Sequence, residues 1–417
     1  MSIGYACLAV ALPGSEIKSC TLKNATEERL YDLIAHNLNA LETMVDYNLR
    51  NGIRLYRISS DLIPFGSSVA LELPWADRFS ERLASIGEKI RHGDMRVSLH
   101  PGQYTVLNSP IEDVAARAVL DLDYHARILD AFGLDSTHKI VLHLGGVYGD
   151  KATAKQRFVE RFAKLSDAVK QRLILENDGS LFHIEDVLET AALAGIPVVY
   201  DNLHNETNPA DPGRTDADWI AEAASTWGAL DGRQKIHYSQ QNPAKSTGAH
   251  SETIHLPAFL DFYHQLPDQT IDIMLEVKDK NISALKCHNA TVERGMKALE
   301  SEWARYKYGV LEKSPQIYQE IRDLLKDKQN YPALAMYALV EYAYSLPLVR
   351  GHAANAAQHV WGYFKDQATE AEKRRFLASY TQYTEGDTEL PALKRQLLRL
   401  AGKYEEEYLL HSYYFYM

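Results

Sequence analysis

Residues 139–146, KIVLHLGG, and residues 173–179, LILENDG, are short β-rich apolar runs, and each stops on a residue able to bind metal: His143 in the first, Glu176 in the second. The pattern repeats on both sides of this pair. Residues 96–104, RVSLHPGQY, reach His100, and residues 198–204, VVYDNLH, reach Asp201 and His204. Residues 235–240, KIHYSQ, carry Lys235 and His237, and residues 271–278, IDIMLEVK, carry Glu276. Side chains alternate faces along a strand, so Ser98 shares a face with His100, Val141 with His143, Val199 with Asp201, and Lys235 with His237. With the strands parallel and helices between them, all these ligands converge on one rim, the carboxyl-end face where βα-barrels carry their chemistry.

Two earlier apolar runs, 3–10 and 54–61, bring the strand candidates to eight, with the others at 96–100, 139–144, 173–177, 198–203, 235–239 and 271–277. The stretches 25–52 and 114–134 between them place apolar residues at three- and four-residue steps and stop at Gly, which predicts amphipathic helices. The expected fold is therefore α/β, a (β/α)8 TIM barrel over residues 1–296, followed by a small all-α domain over residues 297–417. Long loops rich in Gly, Pro, Asn or Ser at 11–26, 62–75 and 204–214 lie after strands one, two and six, on one rim, where they would form a substrate groove. From about residue 300 the strand runs cease. Fifteen of the 25 tyrosines fall there at helical spacing, which predicts a tyrosine-packed bundle.

Composition narrows the class. The chain has 417 residues, 46% hydrophobic and 24% charged, and buries a full core without staples. Cys7, Cys20 and Cys287 show no CxxC spacing, which argues against a disulfide framework and a thiolate zinc site and suits a reducing cytoplasm. No apolar run approaches the roughly 18 residues of a membrane span, so no membrane partner is expected. Net charge is −11, which excludes a general basic surface for nucleic acid. Because the part from Lys297 onward is balanced at 16 basic and 16 acidic residues, the whole excess lies in the ligand-bearing part.

The candidate ligands are His100, His143, Glu176, Asp201, His204, Lys235, His237, His250 and Glu276. Taken singly, a strand-end His is a satisfied polar residue and a Glu caps a helix or pairs with Arg; their shared position on successive strands is what points to metal. Nitrogen and oxygen donors without sulfur suit hard or borderline divalent ions, and so many ligands exceed the roughly four to six atoms one cation accepts. Paired ions about 4 Å apart clamp both the attacking and the leaving oxygen in phosphodiester hydrolysis, the natural chemistry for such a cluster.

The stretches GYAC, LYRISSDLIPFGS, LHPGQYTVLNSP, VLHLGG, LILEND, VYDNLHN, KIHYSQQ with GAHSE, and IDIMLEVKDKN together cover the barrel and resemble the UV damage endonucleases, relatives of the endonuclease IV type of abasic-site nuclease. The resemblance implies His100, His143 and Glu176 as ligands of one ion, Glu176, Asp201, His237 and Glu276 of a second, and His204, His250 and Lys235 of a third. It implies Glu176, Lys235 and His237 as catalytic and Lys235 as a carbamate. It also implies that Gln103 and Tyr104 are pushed into the duplex opposite the lesion and that Tyr5 lines the pocket for the damaged dinucleotide. The cofactor expected from it is manganese, as roughly two or three ions, with zinc, cobalt and magnesium as the other candidates. The partner is double-stranded DNA carrying UV photolesions. An abasic-site endonuclease, a metal-dependent sugar isomerase and a non-catalytic metal-stabilised scaffold are the competing readings. Gln103, Tyr104 and the long loops argue against an isomerase, whose small substrate needs no groove.

The tail, through YKYGVLEKSPQIYQEIRDLLK and LVRGHAANAAQHVWGYFK, resembles the YbgA-like helical domain family, which implies no activity and leaves its partner open. Lys313 stands where that family leads one to expect His before the Ser-Pro step, and His352 and His359 are expected to pack or cap.

Overall fold

The computed structural model describes residues 1–417. Its eight strands are β1 (Ile3–Ala6), β2 (Leu55–Arg57), β3 (Arg96–Leu99), β4 (Lys139–His143), β5 (Leu173–Glu176), β6 (Val198–Val199), β7 (Lys235–Tyr238) and β8 (Asp272–Leu275). Every pairing is parallel, in the order β6-β5-β4-β3-β2-β1-β8-β7. A parallel bridge between Asp201 and His237 joins the two ends, with the His237 amide donating to the Tyr200 carbonyl at 2.9 Å. The eight-stranded TIM barrel is thus closed, as its spacing of strands and helices predicts.

The chain forms two compact units, Met1–Ala9 with Gly14–Leu285, and Val10–Pro13 with Lys286–Met417. The second unit is helical. Tyrosines pack its core, with Tyr306 edge-on to Tyr337 and Tyr413, and Tyr363 stacked on Tyr408. His352 hydrogen-bonds through Nδ1 to the Lys313 carbonyl at 3.1 Å, the packing role its helical position suggests. No helix of the protein is long and apolar enough to cross a membrane.

Three strands are shorter than the apolar runs imply, each for a local reason. β1 ends at Ala6 because Cys7 turns to φ 68°, outside the extended region. The run from Leu55 stops at Arg57, and Ser59 then caps a 3₁₀ turn, its hydroxyl accepting from the Asp61 amide. β6 is only two residues because Asp201, beyond its single bridge to His237, already caps the helix Asn202–Thr207.

Alternation fixes what fills the barrel. Near the amino-end Arg96 donates to Asp272 at 2.6 Å and Lys139 to Asp231 at 2.5 Å, while Lys235, in register with Asp272, is buried without a partner. Above them lie Val141, Ile174 and Val199 on one side and Ala6, Leu55 and Met274 on the other. The next inward position along these strands carries His143, Glu176, Asp201, Arg57 and Glu276. An apolar layer thus separates two polar ones, the layering expected of a packed barrel interior.

The helices around the barrel approach closely at small residues. A Cβ added to Gly87, in the helix Ser80–His92, would stand 1.8 Å from the Phe132 carbonyl oxygen. Gly87→Ala gains about 1 kcal/mol in helix propensity, but overpacking against backbone costs about 1–3 kcal/mol or more and dominates. The expected result is a lower urea midpoint at unchanged m-value; an unchanged or raised midpoint would refute the close approach.

Candidate metal centre

Each ligand candidate is placed by a strand end. The register sets His143 beside Glu176 on neighbouring β4 and β5, while Asp201 and His237 face each other across the closing bridge. Asp201 caps the helix Asn202–Thr207 by accepting from the His204 amide at 2.8 Å, which holds His204 on the same rim.

Glu176 is the hub. Its carboxylate, 1% exposed, accepts from His100 Nε2 at 2.9 Å and His237 Nδ1 at 2.6 Å, with His143 Nε2 at 3.5 Å and His204 Nδ1 at 3.9 Å. Three groups of side chains could hold an ion, and Glu176 belongs to all three: His100 and His143 with Glu176, Asp201 and His204 with Glu176, and His237 and Glu276 with Glu176. His250 Nε2 stands 3.9 Å from Glu276, on the edge of the third group. Lys235 joins none of the three; it is buried two residues before His237 on β7.

Whether these residues suit ions can be read from their unmet bonding. Asp201 Oδ2, His237 Nε2, His143 Nδ1 and Lys235 Nζ are buried without a hydrogen-bond partner. Buried polar atoms in folded proteins are nearly always paired, so the orphans on Asp201, His237 and His143, all members of the groups that share Glu176, fit atoms that bond to something other than protein. The donors are imidazole and carboxylate with no thiolate, a set for divalent ions of the zinc, manganese or magnesium type.

Electrostatics agree. Burial works against the charge of Glu176, yet the His237 and His143 imidazoles hold its carboxyl well below the usual range. Burial likewise opposes the charge of Glu276, and the Arg57 guanidinium, 2.5 Å away, more than offsets it. Asp201 is pushed up to about 7, by burial first and by Glu176 and Glu276. His204 goes to about 9, because the Asp201 and Glu176 carboxylates outweigh the desolvation that lowers it. Lys235 falls to about 7, by burial first and by the nearby Arg96 and Arg57 cations.

Two residues of this region are not among the sequence-derived candidates. Arg57 ends β2 and grips Glu276; its place at a strand end two residues after inward Leu55 is the signal that could have found it. Asn177, directly after Glu176, donates to the Asp201 carbonyl at 3.0 Å and accepts from the Asp201 amide at 2.8 Å, clamping adjacent strand ends together.

The substrate-contact candidates divide. Gln103 and Tyr104 occupy the exposed tip of the loop after β3, with Tyr104 83% exposed. Tyr5 is a correction: it is fully buried, its hydroxyl donates to Asn48 at 2.9 Å, and its ring tilts against Tyr56. On β1 the inward positions are Gly4 and Ala6, so Tyr5 points outward to the helix Glu27–Arg50 and does not line a pocket on the rim.

A closed parallel barrel with histidine and carboxylate groups gathered on its carboxyl-end rim defines a class, the TIM-barrel enzymes built around a divalent-metal type of site. Sequence comparison supplies the rest. The profile of the UV-endonuclease UvdE family matches residues 1–300, and that of a protein of unknown function, DUF1722, matches residues 307–417. A UV DNA damage endonuclease of Clostridium perfringens (strain 13 / Type A) is 39% identical over 332 residues, 78% of this chain and 80% of that protein. One of Bacillus cereus (strain ATCC 10987 / NRS 248) is 31% identical over 312 residues, 72% of this chain and 98% of its own length. The crystal structure of SacUVDE superposes with a TM-score of 0.66 at 36% identity, covering 72% of this chain and 99% of that one. The chain belongs to the UV-endonuclease UvdE family, which makes it a DNA-repair endonuclease of the UV-damage class.

Proposed function

We propose that the protein hydrolyses the DNA backbone on the 5′ side of UV photolesions, cyclobutane pyrimidine dimers and 6-4 photoproducts, leaving a 3′-hydroxyl and a 5′-phosphate. The observation that carries this is the one carboxylate, Glu176, shared by three potential ion sites. His100, His143, Glu176, Asp201, His204, His237, His250 and Glu276 would hold roughly two or three divalent ions, manganese first among them. Divalent ions in such a site supply Lewis-acid stabilisation of the charge that develops on the phosphoryl oxygens. The protein's own part is to fix the donors. His100 and His237 are oriented by Glu176, Asp201 by Asn177, and Glu276 by Arg57. Preorganised charge of this kind costs no reorganisation during the reaction.

Lesions are selected by deformability, because a photodimer is already poorly stacked and leaves the duplex at less cost than a normal step. Gln103 and Tyr104, exposed beyond His100, offer an amide for base edges and a ring for the space left by unstacking. Incision of a duplex with one photodimer, assayed with added manganese beside an abasic duplex, tests the reading. Preferential cutting of the abasic duplex would overturn it. Gln103→Ala combined with Tyr104→Ala is expected to reduce the preference for damaged over undamaged duplex by about tenfold or more at one fixed salt concentration. Metal content should be unchanged, and an undiminished preference would refute the probe role.

Lys235 completes the reading as a carbamate. Its buried, unpaired amine, lowered to about 7, is largely free to add carbon dioxide near neutral pH. The ammonium first gives up one proton, the free amine nitrogen then bonds to the carbon of carbon dioxide, and a second proton leaves to solvent, so loss of two protons turns the cation into an anion. Native mass spectrometry should show the added mass of carbon dioxide, lost in Lys235→Ala, with incision reduced about 10–100-fold. An unmodified lysine in the fully active protein would exclude the carbamate.

A further inference from the structure

The loop that carries Gln103 and Tyr104 is exposed at its tip and anchored at both ends. Gly102, Gln103 and Tyr104 face solvent, while Pro101 and Thr105 on either side are buried. Before the tip, the Ser60 hydroxyl donates to the His100 carbonyl at 2.8 Å. After it, the Thr105 hydroxyl donates to Asp121 Oδ2 at 2.5 Å. His125, 1% exposed, joins the two anchors: its Nδ1 donates to the Asp121 carbonyl at 2.6 Å and its Nε2 lies 2.9 Å from the Ser60 hydroxyl. Asp121 and His125 stand one turn apart on the helix Glu112–Ala131, and Tyr124 between them donates to the Ser60 carbonyl at 2.8 Å. Further along, the Asn108 side chain holds Gly146 through two hydrogen bonds, and Arg161 donates to the Leu107 and Ser109 carbonyls. Thr105 to Ser109 are thus fixed, and the exposed tip is left as a short turn between held ends.

We propose that Thr105, Asp121, His125 and Ser60 are positioning residues that brace the Gln103–Tyr104 tip, a turn in which the Thr105 amide donates to the Gly102 carbonyl at 3.0 Å, in a rigid, outward-held state before DNA arrives, and so set lesion specificity. An exposed tyrosine on a slack loop would fold down onto the nearby surface, and ordering it at each encounter would weaken binding; a tip held out in advance avoids that loss. A wedge must also resist the stack it enters, and a tip clamped to a helix and to a strand end transmits that load to the barrel. This rests on the probe role of Gln103 and Tyr104.

The test uses full-length, metal-loaded protein. Thr105→Val removes one anchor at nearly constant volume. Amide hydrogen exchange of residues 102–106 should speed up selectively. The concentration of photodimer duplex needed for half-maximal single-turnover incision should rise about tenfold. The rate at saturation should stay within about threefold, since the metal ligands are untouched. Thr105→Ser, which keeps the hydroxyl, should restore both readouts, and Asp121→Asn, which keeps an acceptor for it, should lie near wild type. Comparing folded fractions by circular dichroism separates these effects from a loss of stability, which would shift midpoints without changing the half-saturating concentration. Unchanged exchange in Thr105→Val, or failure of Thr105→Ser to rescue, overturns the brace. Failure of the probe role itself is read separately: the Gln103→Ala, Tyr104→Ala protein would then keep its preference for damage, while the exchange measurement still decides whether the tip is braced.

Discussion

Glu176→Gln should leave a folded barrel that cuts damaged DNA at least about 10³-fold more slowly, a loss of about 4 kcal/mol in transition-state stabilisation. The amide is nearly isosteric, so packing is preserved, but the charge common to all three ion groups is gone. An amide can accept at only one of its two positions, whereas the carboxylate accepts from His100 on one oxygen and His237 on the other. The second imidazole would meet an NH₂ group, so at least one ligand must rotate away. Metal content by elemental analysis should fall together with the rate, and circular dichroism should stay native. A folded variant cutting within tenfold of wild type would sink the assignment of Glu176 as hub.

Removing the divalent ions should have a comparable effect on activity and a visible one on stability. Chelation is expected to abolish incision, manganese to restore it, and the unfolding midpoint to fall in between, because ion binding to the folded state alone stabilises it. The direction with pH follows from Asp201 and His204. With Asp201 pushed up to about 7 and His204 to about 9 in the ion-free site, an incoming ion must displace the His204 proton below pH 9 and the Asp201 proton as well below pH 7. Metal affinity should therefore weaken as pH falls from 9, and more steeply below 7, where two protons compete instead of one. Calorimetric titration with manganese at several pH values, in buffers of different ionisation enthalpy, counts the released protons. Affinity independent of pH would exclude Asp201 and His204 as ligands.

How much was legible in the sequence differs by residue. His143 and Glu176 could be read directly, since an apolar run that ends on a polar residue before Gly or Asn marks a strand reaching a functional rim. Facing on a short strand was harder. Tyr5 sits one residue from inward-pointing Ala6, and a single step of register separates a pocket wall from the outer surface of the barrel. Asp201 reads as a ligand at the end of the run VVYDNLH, but its second task, capping a short helix, is a decision made by backbone geometry. Arg57 carries no ligand signal in the sequence, being a cation among expected cation ligands, and only its contact with Glu276 explains it. The brace of Thr105, Asp121, His125 and Ser60 unites residues from a loop, a helix and a 3₁₀ turn, and no spacing announces such a set.

The closing bridge between Asp201 and His237 has a kinetic side. Elsewhere the barrel's staves are joined by runs of paired residues, but β6 and β7 meet at this single bridge and through the Asn202 side chain, which donates to the Ser239 carbonyl and accepts from its amide. The weakest joint of the cylinder is therefore made by two ion-ligand candidates. An ion held by both residues would couple breathing of the cylinder to its own release, and an occupied site would act as a rivet on the seam. Amide exchange at His237 and Ser239 would then clock ion departure directly, and heat inactivation would begin there while the remaining staves are still in place.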